Sequence, residues 1–227
     1  MTYHIITIFP EVVNSYLSES ILGRAIKNKK IAVKFYNPRD FVRGKYRKVW
    51  PDGNISAQVD ERPYGGGPGM VMMAEPILKA VEKAFSVAKK KKTVKTKVIL
   101  FSPSGKKFDT AYAKQAVKKY TDIVMICGRY EGIDARVKKI LKSEDISVGD
   151  YVLTGGEIPA MILIDSISRQ IEGVLGNFDS REEERVSSSE IYSRPEILEY
   201  KKKKYRVPKI LLSGNRKKIE EWKQGKK

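Results

Sequence analysis

The sequence predicts an α/β protein built on a mainly parallel sheet, and three observations lead there. Short apolar runs alternate with segments of helical spacing between Tyr3 and Ile171. Glycine-rich loops follow directly on several of those runs. After Gly173 the chain turns polar and then basic, as if a second, smaller piece had been appended.

Taken in order, residues 3–8 are an apolar, β-rich run stopped by Phe9-Pro10. Val12, Val13, Tyr16, Leu17, Ile21, Ala25 and Ile26 then fall at helical spacing. Residues 31–36 read as a second strand. From Asn37 to Met70 periodicity vanishes, and so long a loop inside a compact domain points to function or mobility. Residues 77–88 are helical, 89–97 a basic connector and 98–101 a strand. Residues 109–119 are helical, 123–127 a strand, 134–141 a helix and 147–153 a strand-like segment. A helix over 159–171 follows, with proline tolerated in its first turn. Strand and helix in alternation pack as helices on a parallel sheet. Residues 1–175 therefore read as one domain and 176–192 as a polar linker. Residues 193–227 read as a small basic C-terminal domain with a helix near 217–224, too short to be stable without docking.

The 227 residues carry 45 lysines and arginines against 27 acids, a net charge of +18. A charge of that size speaks of partners rather than of fold. Phosphate-rich polymers fit it, since each cation near a phosphate releases a counterion. The lysine runs 89–92 and 201–204 equally fit a generally lysine-rich surface. One cysteine, Cys127, permits no internal disulfide and suits a reducing cytoplasm. No leader pattern opens the chain and no apolar run approaches ~18 residues, so a soluble cytoplasmic protein without a membrane partner is expected. With His4 as the one histidine, neither a Cys/His zinc site nor a Ser-His-Asp triad is supported. Carboxylates, arginine, backbone groups or a bound cofactor must carry any chemistry.

Four glycine-rich loops stand out. The first, within the long aperiodic stretch, is Asp60-Glu61-Arg62-Pro63-Tyr64-Gly65-Gly66-Gly67-Pro68-Gly69-Met70. It lacks the lysine and serine of a phosphate-cradling loop, but its acids and Arg62 suit contact with a substrate better than a bare hinge. The others are Ser102-Pro103-Ser104-Gly105, Cys127-Gly128-Arg129-Tyr130-Glu131-Gly132, and the stretch from Val148 to Glu157 with Gly149, Gly155 and Gly156. Ligands of open α/β sheets bind at the carboxyl ends of strands, so these three loops can converge on one pocket. The dinucleotide pattern G-x-G-x-x-G is absent, which excludes a standard Rossmann nucleotide site.

These stretches, together with Ile6-Thr7-Ile8-Phe9-Pro10-Glu11, Gly23-Arg24-Ala25, Asn37-Pro38-Arg39-Asp40-Phe41, Ile158-Pro159-Ala160-Met161, Arg194-Pro195-Glu196 and Leu211-Leu212-Ser213-Gly214-Asn215, resemble the tRNA (guanine-N1)-methyltransferase family of the SPOUT superfamily. The likeness spans nearly the whole chain. It implies a parallel sheet whose C-terminal part threads a trefoil knot, a rare exception to unknotted topology, and a small helical C-terminal domain. It implies methyl transfer from S-adenosylmethionine to N1 of guanosine 37 in tRNA, by a homodimer whose active sites are shared between subunits. By matched position the cofactor would be held by Phe101, Ser102, Pro103, Gly128, Tyr130, Glu131, Val148, Gly149, Asp150, Tyr151, Val152, Leu153, Gly155, Gly156 and Pro159. The tRNA would meet Asp60, Glu61, Arg62, Tyr64, Ser213 and Asn215, with phosphates held by Arg43, Lys45, Arg47 and Lys48. Glu61 stands where the family repeats an aspartate.

The chemistry agrees with the residues available. Guanine N1 carries a proton at neutral pH, so a base must remove it before the lone pair can attack. Charge then grows on O6, where a cation stabilises it. The resemblance assigns that cation to Arg169. The family's base is an aspartate at the start of the linker. Counted without gaps from Gly173-Val174-Leu175-Gly176, its place is taken by Glu184, with Asp179 and Glu183 as rivals and a solvated acidic patch as the plain alternative. Magnesium is implied for the transfer step, with Glu131 the residue nearest its action, although the sequence has no all-oxygen ion loop. A related knotted enzyme acting on ribosomal RNA or a ribose hydroxyl, and a non-catalytic RNA-binding relative, are the competing readings.

Overall fold

The computed structural model describes residues 1–89, 94–176 and 190–224. They form two compact units, Met1–Gly176 and Asn177–Lys227. The first unit opens with β1 (Thr2–Ile6), α1 (Pro10–Leu17), α2 (Ser20–Lys27) and β2 (Ala32–Tyr36). Four short strands follow, β3 (Arg47–Val49), β4 (Ile55–Ala57), β5 (Asp60–Glu61) and β6 (Val71–Met72). Then come α3 (Ala74–Ala88), β7 (Thr96–Lys107), α4 (Thr110–Lys119), β8 (Asp122–Ile126), α5 (Ala135–Leu141), β9 (Glu144–Ser147) and α6 (Glu157–Ser168).

Five of these strands make one parallel sheet in the order β2-β1-β8-β7-β9. β1 and β8 lie at its centre and are buried along their whole length, which is why both are near-continuous apolar runs. Successive side chains point to opposite faces. Tyr3, Ile5, Ile123, Met125 and Cys127 pack on one side, against Val13, Leu17, Ala116, Leu163 and Ile167 from the helices covering it. Ile6, Ile8, Val124 and Ile126 pack on the other, against Ile77, Val81 and Ala84 of α3 and Val137 of α5. His4 falls in this second set and is satisfied there: Nδ1 lies 3.0 Å from the Tyr36 hydroxyl and Nε2 3.0 Å from Asp122 Oδ1.

Four local expectations change. The helical pattern between Val12 and Ile26 is two helices, broken at Ser18 and Glu19. The end of α1 abuts α2 at Gly23, where a Cβ would lie 2.2 Å from the Ser18 carbonyl oxygen. The aperiodic stretch after Asn37 holds two small hairpins, β3–β4 and β5–β6, whose strands are too short to leave a repeat in the sequence. The strand expected over 147–153 instead ends at Ser147. Val148, Tyr151, Val152 and Leu153 are apolar because they wall a pocket, not because they lie in the sheet. The second unit is not purely helical: β10 (Ile197–Tyr200) and β11 (Lys203–Arg206) form an antiparallel hairpin ahead of α7 (Lys209–Leu212) and α8 (Arg216–Lys223). Among the described residues no helix is long and apolar enough to cross a membrane.

Candidate active site

A bulge within β7 meets two loops that leave the carboxyl ends of β8 and β9. Within β7, Phe101 and Lys106 both pair with Ile146 of β9, so residues 102–105 bulge out of the sheet. Gly105 permits this, because a Cβ there would lie 2.6 Å from the Asp145 carbonyl carbon. After β8 the chain turns at Tyr130, a non-glycine residue at φ +61° and so in the costly left-handed region. After β9 it crosses back until Gly156 N donates to Gly128 O over 3.0 Å. A Cβ on Gly156 would sit 2.6 Å from Cys127 Cα, so only glycine lets the two backbones approach this closely.

The loops enclose a pocket of about 210 Å³. All the residues expected to hold the cofactor line it except Asp150. Asp150 lies outside with its carboxylate 2.8 Å from Lys107 Nζ, both side chains exposed. Phe101, Pro103, Ile146, Val148, Leu153 and Pro159 supply apolar walls. Ile146, Ser147, Arg129, Gly132 and Thr154 also line the pocket and were not anticipated. Ile146 and Ser147 read as ordinary strand residues, and Arg129 was passed over between two residues that drew attention.

Arg129 is part of a buried polar cluster beneath the pocket. Glu157, in the first turn of α6 and 1% exposed, accepts from the Thr7 hydroxyl at 2.7 Å. Arg129 Nη2 stands 3.0 Å from the other Glu157 oxygen. Arg129 Nη1 donates to Thr154 O at 3.3 Å, and its guanidinium lies over the Phe9 ring, 4.8 Å from the centroid. The cluster joins the ends of β1 and β8 to the start of α6, and it pairs the arginine charge with a buried carboxylate. Burial pushes the Cys127 thiol well above its usual range, with the Glu157 charge adding to the effect. That thiol is no nucleophile.

Glu131 is the pocket's one carboxylate among the described lining residues. It is also where the glycine-rich loop of residues 60–70 arrives: Glu131 N donates to Met70 O at 2.9 Å, and Met72 N to Gly132 O at 2.9 Å. Gly65, Gly66, Gly67 and Gly69 all take positive φ. At Gly69 a Cβ would meet the Glu131 side chain at 2.5 Å. Asp60 and Glu61 form β5, paired with β6. Glu61 is held below the usual carboxylate range by the Arg62 backbone N–H and then by the Tyr46 hydroxyl. Arg62 and Tyr64 are exposed on the loop.

Within the first unit, Arg169 is not gathered here. Arg169 caps the carboxyl end of α6, about 20 Å along the helix from Gly156 at 1.5 Å per residue. That end lies by the start of β1, where Ser168 Oγ is 3.0 Å from the Tyr3 hydroxyl. Ser213 and Asn215 belong to the second unit, where Ser213 Oγ donates to Ile210 O at 2.7 Å and Asn215 caps α8 through Lys218 N at 3.2 Å. Asp179, Glu183 and Glu184 lie outside the described residues. Also among the described residues, no group of three or more histidine, cysteine, aspartate or glutamate side chains could hold a metal ion.

Comparison with known proteins completes these observations. A family model described as tRNA (Guanine-1)-methyltransferase TrmD matches residues 1–227. A tRNA (guanine-N(1)-)-methyltransferase of Clostridioides difficile (strain 630) is 44% identical over 99% of this chain and 91% of its own. Proteins of the same description from Pseudoalteromonas atlantica and Vibrio vulnificus (strain YJ016) are each 42% identical. The alignments cover 97% of this chain and 77% of the first, and 96% of this chain and 82% of the second.

Proposed function

Because the chain belongs to the tRNA (guanine-1)-methyltransferase family, we propose that it methylates N1 of guanosine 37 in tRNA, beside the anticodon, with S-adenosylmethionine as donor. The observation that carries this reading is the convergence of the β7 bulge and two strand-end loops on one pocket. The lining suits the donor: apolar walls for a purine, glycine-rich backbone for its polar edges, and Glu131 for a cation. The nearby guanidinium of Arg129 is balanced by Glu157 and does not repel a sulfonium.

S-adenosylmethionine supplies an already activated methyl group, so the protein's task is to orient the guanine and move one proton. Glu184 in the linker takes the N1 proton, with Glu183 and Asp179 as the alternative carboxylates for that role. Arg169 stabilises the charge that develops on guanine O6. Within one chain it stands at the wrong end of α6 for this. A homodimer removes the difficulty, because Arg169 of one subunit can serve the pocket of the other. An apolar face fits such pairing: Val12 and Tyr16 of α1 and Ile158 and Ile162 of α6 are exposed side by side, and the Tyr16 hydroxyl donates to Asp165 at 2.5 Å. Magnesium would meet Glu131 alone among the described carboxylates of the pocket.

The trefoil knot belongs to the same proposal. β9 is the edge strand, yet residues 148–156 return across the carboxyl ends of β7 and β8, and α6 packs on α1 and α4. The enzyme works in the cytoplasm, with the basic second unit and loop residues 60–64 holding the tRNA. Incubation with labelled donor and a tRNA transcript bearing guanosines at 36 and 37 tests the reading. N1-methylguanosine is the expected product. Arg169→Ala should lower kcat by about 10²–10³-fold, as for loss of one charge-stabilising donor, while affinity for S-adenosylhomocysteine is retained. No transfer, or transfer to another atom, overturns the proposal.

A further inference from the structure

The β3–β4 hairpin presents an indole beside the substrate loop on a turn that holds its own shape. Trp50 N donates to Asn54 O at 2.8 Å and Gly53 N to Trp50 O at 2.9 Å. Asp52 accepts from Asn54 N at 2.9 Å and from Asn54 Nδ2 at 2.8 Å, and Gly53 takes the φ of +81° that the turn requires. The base of the hairpin is tied down as well. Gln58 N donates to Tyr46 O at 2.9 Å, and the Tyr46 hydroxyl donates to Glu61 at 3.0 Å, at the root of the substrate loop. Pairing of Lys48 with Ser56 and Val49 with Ile55 sets the alternation. Lys48 and Trp50 consequently share one face. Trp50 is 55% exposed.

Charge decides what this face is for. Between residues 43 and 57 the chain carries Arg43, Lys45, Arg47 and Lys48 against Asp52 alone. A polyanion with flat, unpaired rings matches an exposed indole among cations, since base–aromatic stacking and phosphate contacts act together.

We propose that the β3–β4 hairpin is an RNA-contacting arm, in which Trp50 stacks on an unpaired base of the RNA substrate while Lys48, on the same face, holds a flanking phosphate. The proposal rests on RNA being the substrate, but not on methyl transfer itself. It accounts for a rigid, basic hairpin being anchored to the loop that reaches Glu131, because a base held there is brought close to the pocket's entrance.

The test uses the full chain and fluorescently labelled tRNA, with binding followed by anisotropy across a salt series. Trp50→Ala should weaken binding about tenfold, and Trp50→Phe should recover most of it. Lys48→Ala should lower the slope of log affinity against log salt by about one. Affinity of each variant for S-adenosylhomocysteine, measured by calorimetry, should equal that of the parent and so report an intact fold. Trp50→Ala binding RNA as tightly as the parent overturns the proposal. So does a change of sedimentation coefficient in Trp50→Ala, which would make the hairpin a contact between copies of the chain. Weakened RNA binding in a protein that transfers no methyl group would leave the arm standing and remove only the methylation reading.

Discussion

Replacing Glu157 by glutamine removes one charge from the cluster beneath the pocket and leaves its shape almost intact. Glutamine keeps an oxygen for the Thr7 hydroxyl, 2.7 Å away. What is lost is the attraction to Arg129 Nη2 at 3.0 Å. At an effective dielectric near 20 that attraction is roughly 5 kcal/mol before desolvation is set against it. Breaking one partner of a buried pair costs about 3–5 kcal/mol, because the other charge stays behind uncompensated. Arg129 is 23% exposed and can turn partly toward water, so the lower end, about 3 kcal/mol, is expected. For a unit of this size that is a fall in melting temperature of about 6–12 °C. Circular dichroism on heating measures it. Calorimetric titration with S-adenosylhomocysteine should show weakened binding too, since Arg129 also holds the Thr154 carbonyl at the pocket wall. The double variant Glu157→Gln with Arg129→Leu should recover part of the loss, because no orphan charge remains. A melting temperature within about one degree of the parent's, with unchanged affinity, would refute the reasoning.

Two further outcomes are expected. Gly156→Ala puts a methyl group 2.6 Å from Cys127 Cα, against backbone that cannot step aside, at a cost of about 1–3 kcal/mol. Gly128→Ala meets only the flexible end of Ile133 at 3.2 Å and should cost less, a difference that urea midpoints will read. Asp134 caps α5 through Arg136 N and is held below the usual carboxylate range, chiefly by the Arg136 side chain. A depressed carboxylate stabilises the fold only while it is ionised. The gap between the parent and Asp134→Ala, about 1 kcal/mol at neutral pH, should therefore close as the pH falls below roughly 4. A gap that persists there would contradict the assignment.

Much of the first unit was legible because its central strands are buried on both faces. Residues 3–8 and 123–127 announce themselves by composition alone, and glycine runs mark the turns where backbone must approach backbone. Much of the pocket lining was likewise readable, Arg129 and Thr154 being missed and Asp150 wrongly included, although only likeness to a family implied what the loops hold. Val148 to Leu153 misled because a strand in a core and a pocket wall are equally apolar. The hairpins after Asn37 and β10–β11 were missed because strands of two to four residues leave no repeat to detect.

By itself, the sequence determined the buried strands and most helices of the first unit, the glycine-rich turns between them, and a net charge of +18 that fits a polyanionic partner. These follow from local spacing and from charge, which do not depend on how the chain returns upon itself. Only the tertiary structure decided that Thr7, Arg129 and Glu157 form one cluster, and that Arg169 stands a helix length from the pocket it is expected to serve. The physical reason is distance along the chain. Residues 150 positions apart become hydrogen-bond partners only when a parallel sheet and the crossing over it bring them together.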